Sequence, residues 1–339
     1  MAINVSIIGC GLIGKKRAAE VAKDPEARLI SVADVDLQSA QNIAAHYGAK
    51  AFSHWHDALS FGAPDAIIIS TPNYASAEIA IQALQMGKDL LIEKPLGRNA
   101  KESEAILKAA LLSEKKPIVK TGFNHRFHPA LSKAKKLFDH GAIGTLLSLR
   151  ARYGHGGRLG MEKEWRASKT LCGGGELLDQ GIHIIDLMQW FGGEWREVYG
   201  SLNTSFWPME VEDNALVIGK MRSGADALFH VSWTQWKNLF SFELFGSQGS
   251  LHIQGLGGSY GQETLEHIER NPKGAKPKVK MFSYPEEDIS WQLEWQEFKR
   301  SILERTPPLG SGEDGLKANQ VIAAIEQSHT QKTRALLHE

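Results

Sequence analysis

The stretch Gly173 to Asp186, GGGELLDQGIHIID, sets an acid and an imidazole four residues apart. In a helix Asp179 and His183 project from one face and reach one bound molecule, the pairing needed to move a proton to or from a substrate hydroxyl. The three glycines before them let backbone approach a ligand or make a tight entry turn, while Ile182, Ile184, Ile185 and Leu187 supply apolar surface to bury the rest. Taken alone, the segment fits equally well a hydrogen-bonded packing histidine and an early-helix acid.

The amino-terminal region carries a second kind of chemistry. Gly9, Gly11 and Gly14 form G-x-G-x-x-G directly after the short β-branched run Ile3 to Ile8, and Lys15 to Ala22 then reads as a helix. The first glycine permits the turn, the second lets backbone approach a pyrophosphate, the third allows close helix packing, and the helix N-terminus, with Leu12 and Ile13 in the loop before it, offers N–H groups to the anion. A second strand, Leu29 to Ala33, ends at Asp34, whose carboxylate can accept hydrogen bonds from an adenosine ribose diol. The same charge repels a 2′-phosphate, and neither Val35 nor Asp36 offers a basic replacement, so NAD is expected over NADP.

The elements that must position these residues alternate. Asp65 to Ser70 reads as a strand ending in Thr71, Pro72 and Asn73, with a helix from Ala75 to Met86; Asp89 to Ile92 is another strand, delivering Glu93, Lys94 and Pro95 before a helix from about Lys101. Such carboxyl-end positions face the ligand crevice of an open α/β sheet. Thr71 and Asn73 suit ribose or nicotinamide contacts, and suit an ordinary helix cap nearly as well. Ile118 to Thr121 closes this domain. Beyond it Leu146 to Tyr153, Arg196 to Trp207, Asn214 to Met221, Asp226 to Trp233, Phe240 to Phe245 and Leu251 to Ile253 are strand candidates with hairpin-like spacing, an antiparallel signature. His155 to Trp165 is a candidate substrate-facing loop, and Tyr153, Trp165 and Arg166 can shape a substrate site through aromatic faces and a guanidinium. Trp291 to Ile302 and Leu316 to Ile325 read as amphipathic helices.

With 339 residues two domains are expected, and 39 basic against 39 acidic residues leave no field that would gather nucleic acid or an anionic membrane. The lysines between Asn271 and Lys280 read as a solvated loop. Two cysteines, Cys10 and Cys172, make neither a disulfide framework nor a thiolate cluster, and incidental pairs such as His125 and His128 fall short of a metal-ligand set, so no metal is expected. The chain enters a strand at once, without a basic segment and long apolar run, which points to the cytoplasm.

Taken together, GCGLIG at Gly9 to Gly14, Asp34, TPN at Thr71 to Asn73, EKPLG at Glu93 to Gly97, NHRF at Asn124 to Phe127, GGGELLDQGIHIID and the closing GEDGLKANQVIAAIEQS at Gly312 to Ser328 resemble the Gfo/Idh/MocA oxidoreductase family, the glucose–fructose oxidoreductase and inositol dehydrogenase group. The resemblance covers nearly the whole chain; the glycine motif is common to many folds, whereas EKP and the Gly/Asp/Gly/His segment in this order are far more specific. It implies an α/β architecture: a Rossmann NAD-binding domain over residues 1–122, an α/β domain with a large, mostly antiparallel open sheet over 123–311, and a helix and tail over 312–339 that return to the first domain. It implies Lys94 and His183 as the chemical pair with Asp179 in support, cofactor contacts from Thr71, Pro72, Asn73, Glu93 and Lys94, and substrate contacts from Asn124 and Arg126. It further implies a cis peptide before Pro95, and assembly into homodimers or homotetramers through the open sheet.

The reaction so implied is hydride transfer between nicotinamide and a secondary alcohol of a sugar, sugar derivative or cyclic polyol, free or nucleotide-linked. Two other readings stay open: glycoside cleavage assisted by NAD that cycles internally, and a noncatalytic NAD-binding sensor.

Overall fold

The computed structural model describes residues 2–284 and 287–337. It divides into two compact units: Met1–Phe123 with Thr170–Gly173 and Trp291–Asn319, and Asn124–Lys169 with Gly174–Ser290 and Gln320–Glu339.

The first unit is built on a parallel sheet of β1 (Ile3–Ile8), β2 (Ala27–Ala33), β3 (Lys50–Phe52), β4 (Ala66–Ile69), β5 (Asp89–Glu93) and β6 (Val119–Gly122), in the order β3-β2-β1-β4-β5-β6. Strands such as Ala66–Ile69 are apolar at every position because helices cover both faces of the sheet, leaving no solvent side for alternation. The strand order reverses between β1 and β4, and their carboxyl ends carry Gly9 and Ser70.

Helix Ser290–Glu304 was expected with the second domain, yet from Trp291 onward it belongs to this unit. The cause is its apolar face: Trp295, Phe298 and Ile302 join the core formed by Ile3, Val5, Val21 and Leu29. A buried ion network reinforces the packing, with Arg17 Nη2 at 2.6 Å from Glu93 Oε1 and 2.7 Å from Glu294 Oε2. The Trp291 ring stacks on the Arg17 guanidinium at 4.6 Å.

The second unit holds a nine-stranded sheet: β7 (Leu146–Gly154), β8 (Trp195–Asn203), β9 (Asn214–Met221), β10 (Asp226–Ser232), β11 (Leu239–Gly246), β12 (Gly249–Gln254), β13 (Thr264–Glu269), β14 (Lys278–Ser283) and β15 (Ala335–Leu336). Their order is β14-β13-β12-β11-β7-β10-β9-β8-β15. Only the β7–β10 pair is parallel among the pairings described. One face, with Leu149, Phe229, Val231, Phe242, Leu251 and Leu265, is buried in the core. On the other face the register aligns Tyr199, Ile218, Leu228, Arg150, Glu243, His252, Glu266 and Met281 in a row from β8 to β14.

Three elements depart from the sequence expectation. The strand expected to reach Trp207 ends at Asn203, because the Asp213 carboxylate gathers the N–H groups of Ser205, Phe206 and Trp207 into a turn at 2.7–2.9 Å. Lys278 and Lys280 lie on β14, where they meet Glu269 across the ladder, and only the preceding Asn271–Gly274 stretch turns as a loop. The closing helix Gly312–Gln331 begins in the first unit, but residues from Gln320 belong to the second. There Ser328 Oγ accepts the Gly200 N–H at 3.2 Å and β15 pairs with β8. Among the described residues no helix is long and apolar enough to cross a membrane.

Candidate functional site

The glycine turn in the first unit is shaped by steric need. Gly9 has φ +96°, and a Cβ there would stand 2.5 Å from the Ser70 carbonyl; a Cβ on Gly14 would meet the Gly9 oxygen at 2.0 Å. Gly11, by contrast, faces open space, with nothing within 4 Å of its would-be Cβ. Backbone is thus exposed where a pyrophosphate needs to approach, at the start of helix Leu12–Lys23, whose first N–H groups receive no side-chain cap. Leu12 is exposed beside it and Ile13 half-buried.

Asp34 at the end of β2 accepts the Cys10 N–H at 2.6 Å on one oxygen and the Asp36 N–H at 2.9 Å on the other. Each oxygen keeps a lone pair for a diol. Cys10 is no nucleophile: burial, with Asp34 alongside, pushes its thiol up to about 12.

The ends of β4 and β5 supply the remaining first-unit residues. Thr71 Oγ1 lies 3.0 Å from Ser76 Oγ in the first turn of helix Asn73–Gln85, a contact between side chains, and no side chain caps the start of that helix. Pro72 is the cap residue, and the Asn73 amide donates to the Cys172 carbonyl at 2.8 Å. Glu93 is held by the Arg17 guanidinium through Nε at 2.8 Å as well as Nη2. The half-buried Lys94 follows it through a cis peptide to Pro95.

In the second unit the triple glycine leads into a π-helical turn, Leu177–Gly181, and then the α-helix Ile182–Gly192. Asp179 stands in the wide turn and His183 at the start of the narrower one, so the expected regular helix face is a π–α junction; such insertions recur at functional sites. The anchor lies far away in sequence. Glu212 Oε1 accepts the N–H groups of Gly175 and Leu177 at 3.0 and 3.1 Å, and the Glu212 carbonyl accepts that of Glu176 at 3.0 Å. A Cβ on Gly175 would stand 2.0 Å from that carbonyl oxygen. Burial raises the Glu212 carboxyl above its usual range despite these donors.

Asp179 is partly exposed, with Arg166 Nε at 3.9 Å, and the Arg166 guanidinium lies over the Trp165 ring at 4.4 Å. His183 is buried, and its ring stacks on that of His125 at 3.7 Å with 15° between planes.

Three residues expected to touch substrate have partners inside the unit. Arg126 is buried and forms a bidentate pair with Asp186 at 2.9 and 2.6 Å. Buried Asn124 donates to Ser290 Oγ at 3.0 Å. The Tyr153 hydroxyl, on the core face of β7, lies 3.2 Å from His125 Nε2, and burial drives its pKa well up.

Sequence reasoning passed over His125, Gln180, Tyr260 and Glu212. The first two lie inside motifs already singled out, so adjacency to Arg126 and Asp179 was a usable signal. Glu212 and Tyr260 reach the site only through the fold. No group of three or more potential ligands gathers to hold a metal among the described residues.

Comparison with known proteins places these features in a lineage. Residues 3–122 match a family model described as an oxidoreductase family with an NAD-binding Rossmann fold, and residues 131–252 match the Gfo/Idh/MocA C-terminal domain. Levoglucosan dehydrogenase of Pseudarthrobacter phenanthrenivorans is 29% identical over 288 residues, 74% of this chain and 73% of that protein. Inositol 2-dehydrogenase of Rubrobacter xylanophilus is 24% identical over 98% of this chain and 94% of its own. A solved levoglucosan dehydrogenase in complex with NADH superimposes with a TM-score of 0.91 at 24% identity, covering 100% of both chains. With both halves matched, the chain belongs to the Gfo/Idh/MocA oxidoreductase family and carries its NAD-binding Rossmann domain.

Proposed function

We propose that the protein is an NAD-dependent dehydrogenase that oxidises a secondary alcohol of a sugar, sugar derivative or cyclic polyol. The observation that carries this reading is the buried His183 imidazole at the π–α junction, with Asp179 in the preceding turn, in a chain that also binds a nicotinamide cofactor. Relatives named as levoglucosan and inositol dehydrogenases support the substrate class. Asp34 supports NAD over NADP, since its carboxylate suits a free ribose diol and opposes a phosphate there.

Bound NAD⁺ supplies the hydride acceptor. The protein's task is proton control and orientation. His183 removes the hydroxyl proton, a role suited to an imidazole whose ordinary pKa is about 6.5. Asp179 orients the ring or binds a neighbouring hydroxyl. The Lys94 ammonium stabilises the developing alkoxide, while Trp165 and Arg166 present a ring face and a charge to the sugar. The outward row of the nine-stranded sheet, apolar at Tyr199, Ile218 and Leu228, supports self-association.

The test is a panel of levoglucosan, myo-inositol, aldoses, sugar phosphates and nucleotide sugars with NAD⁺, read by NADH absorbance and by mass spectrometry of the ligand. Stoichiometric NADH with a product two hydrogens lighter is expected. His183→Ala and Lys94→Ala should each lower kcat by about a hundredfold or more while still binding NAD⁺. Glycoside cleavage without net NADH would replace this reading by internal redox cycling, and unchanged turnover in both variants would defeat the residue assignment.

A further inference from the structure

His125 is not among the residues assigned a part above, yet it lies face to face with His183 at 3.7 Å. Both its nitrogens are engaged. Nδ1 lies 3.1 Å from Asn124 Oδ1, and Nε2 lies 3.2 Å from the Tyr153 hydroxyl.

The direction of each hydrogen bond follows from the far end of the chain. Ser290 Oγ donates its single proton to Asp288 Oδ1 at 2.6 Å, so toward Asn124 it can only accept. The Asn124 amide therefore turns its NH₂ to Ser290 and its oxygen to His125, and an oxygen there requires Nδ1 to carry the hydrogen. In the neutral ring Nε2 is then an acceptor, filled by the Tyr153 O–H. The Tyr153 ring packs in turn against that of Tyr260 at 5.0 Å between centroids, and the Tyr260 oxygen accepts from Gln180 Nε2 at 2.7 Å. Donors thus run one way from Tyr153 through His125, Asn124 and Ser290 to Asp288.

We propose, resting on the reading of His183 given above, that His125 is a positioning residue locked as a neutral Nδ1–H imidazole, so that the stacked pair takes its proton only at His183. Two parallel imidazoles this close cannot both be charged in a buried setting, and a proton on His125 would make His183 a poorer base. Protonating Nε2 would also require Tyr153 to stop donating. The surroundings fit this division. Around His125 stand His128 at 5.7 Å between centroids on its own segment, Tyr153 from β7, Phe240 from β11 and His183 from helix Ile182–Gly192. His128 is itself paired with Glu263 at 3.0 Å, with Asp288 at 3.9 Å. Burial, with Glu176 and Asp179 alongside, disfavours ionisation of the two tyrosines, which keeps both hydroxyls able to donate.

Two measurements test this. In ¹⁵N-histidine NMR of the full chain, with the His125→Phe spectrum as assignment, His125 should remain a neutral Nδ1–H tautomer from about pH 5 to 9 while His183 titrates. In the pH dependence of kcat/KM, Tyr153→Phe frees Nε2 to compete for the proton. Its acid limb should move up by about half a pH unit or more, with a loss of about tenfold near neutrality and KM within about twofold. The double variant Tyr153→Phe/His125→Phe keeps a stacked ring without a proton site, so its acid limb should return to the wild-type position. A merely structural role would lower thermal stability and leave the limb in place. His125 protonating before His183, or a Tyr153→Phe limb superimposable on wild type, would overturn the proposal. An inactive His183→Ala beside an unmoved Tyr153→Phe limb would sink this inference alone, whereas an active His183→Ala would sink it together with the assignment of His183.

Discussion

In the proposed reading Asp34 ties cofactor choice to the shape of the glycine turn, since the two oxygens that hold the N–H groups of Cys10 and Asp36 would also meet the ribose. Replacing it by alanine should weaken NAD⁺ binding by about tenfold or more, near 1.4 kcal/mol, and weaken NADP⁺ less; fluorescence titration with both nucleotides measures the ratio. Equal losses for the two would mean the carboxylate serves the turn only. Asp213 shows a different balance at one side chain. Burial opposes its ionisation, but the N–H groups of Ser205, Trp207 and Phe206 and the Asn214 amide together hold its pKa below the ordinary 3.8. A depressed folded-state pKa contributes stability that is complete above the unfolded value and lost as pH falls through the folded one. Asp213→Asn should therefore cost about 1–3 kcal/mol at neutral pH, because an amide NH₂ cannot accept from those donors. The gap from wild type should narrow below about pH 4, and denaturant midpoints across pH would show it.

At the scale of elements, the π–α junction depends on a close approach that only glycine allows. Gly175→Ala drives a methyl into the Glu212 carbonyl and must shift the turn that carries Asp179. We expect kcat/KM to fall about a hundredfold, as for a misplacement near 1 Å, with NAD⁺ affinity preserved because the first unit is untouched. Near-wild-type kinetics would show that the junction tolerates the shift. The alternation of strand and helix in the first unit was legible in the sequence because each buried strand is a continuous apolar run bounded by turn residues. β13 and β14 were not, since apolar Ile268, Val279 and Met281 take the outward face while polar His267, Lys278 and Lys280 take the other, which inverts the usual alternation near a sheet edge. The junction was hidden as well: π-helical winding has no local signature, and its anchor Glu212 is 35 residues from Leu177. The same holds for Arg126, whose partner Asp186 is 60 residues away. A guanidinium in a motif reads as a ligand contact until the fold supplies the buried carboxylate that claims it.

For the molecule as a whole, the nine-stranded sheet presents Tyr199, Leu216, Ile218 and Leu228 to solvent on adjacent strands, at 42%, 53%, 58% and 46% exposure. Self-association through this face would bury them. Light scattering at micromolar concentrations should give a dimer or tetramer, and Ile218→Asp with Leu228→Glu should yield a folded monomer. A wild-type monomer would remove that face from the assembly account. The task proposed for the whole chain is the passage of a carbon-bound hydrogen to the nicotinamide under proton control by His183. The most direct test is rapid quench with NAD⁺ and the panel substrate that yields NADH, deuterated at its carbinol carbon. The account predicts deuterium in the reduced nucleotide, with the His183→Ala variant slowed by about a hundredfold or more. Deuterium found in solvent, or retained in the sugar while the nucleotide stays oxidised, would contradict it.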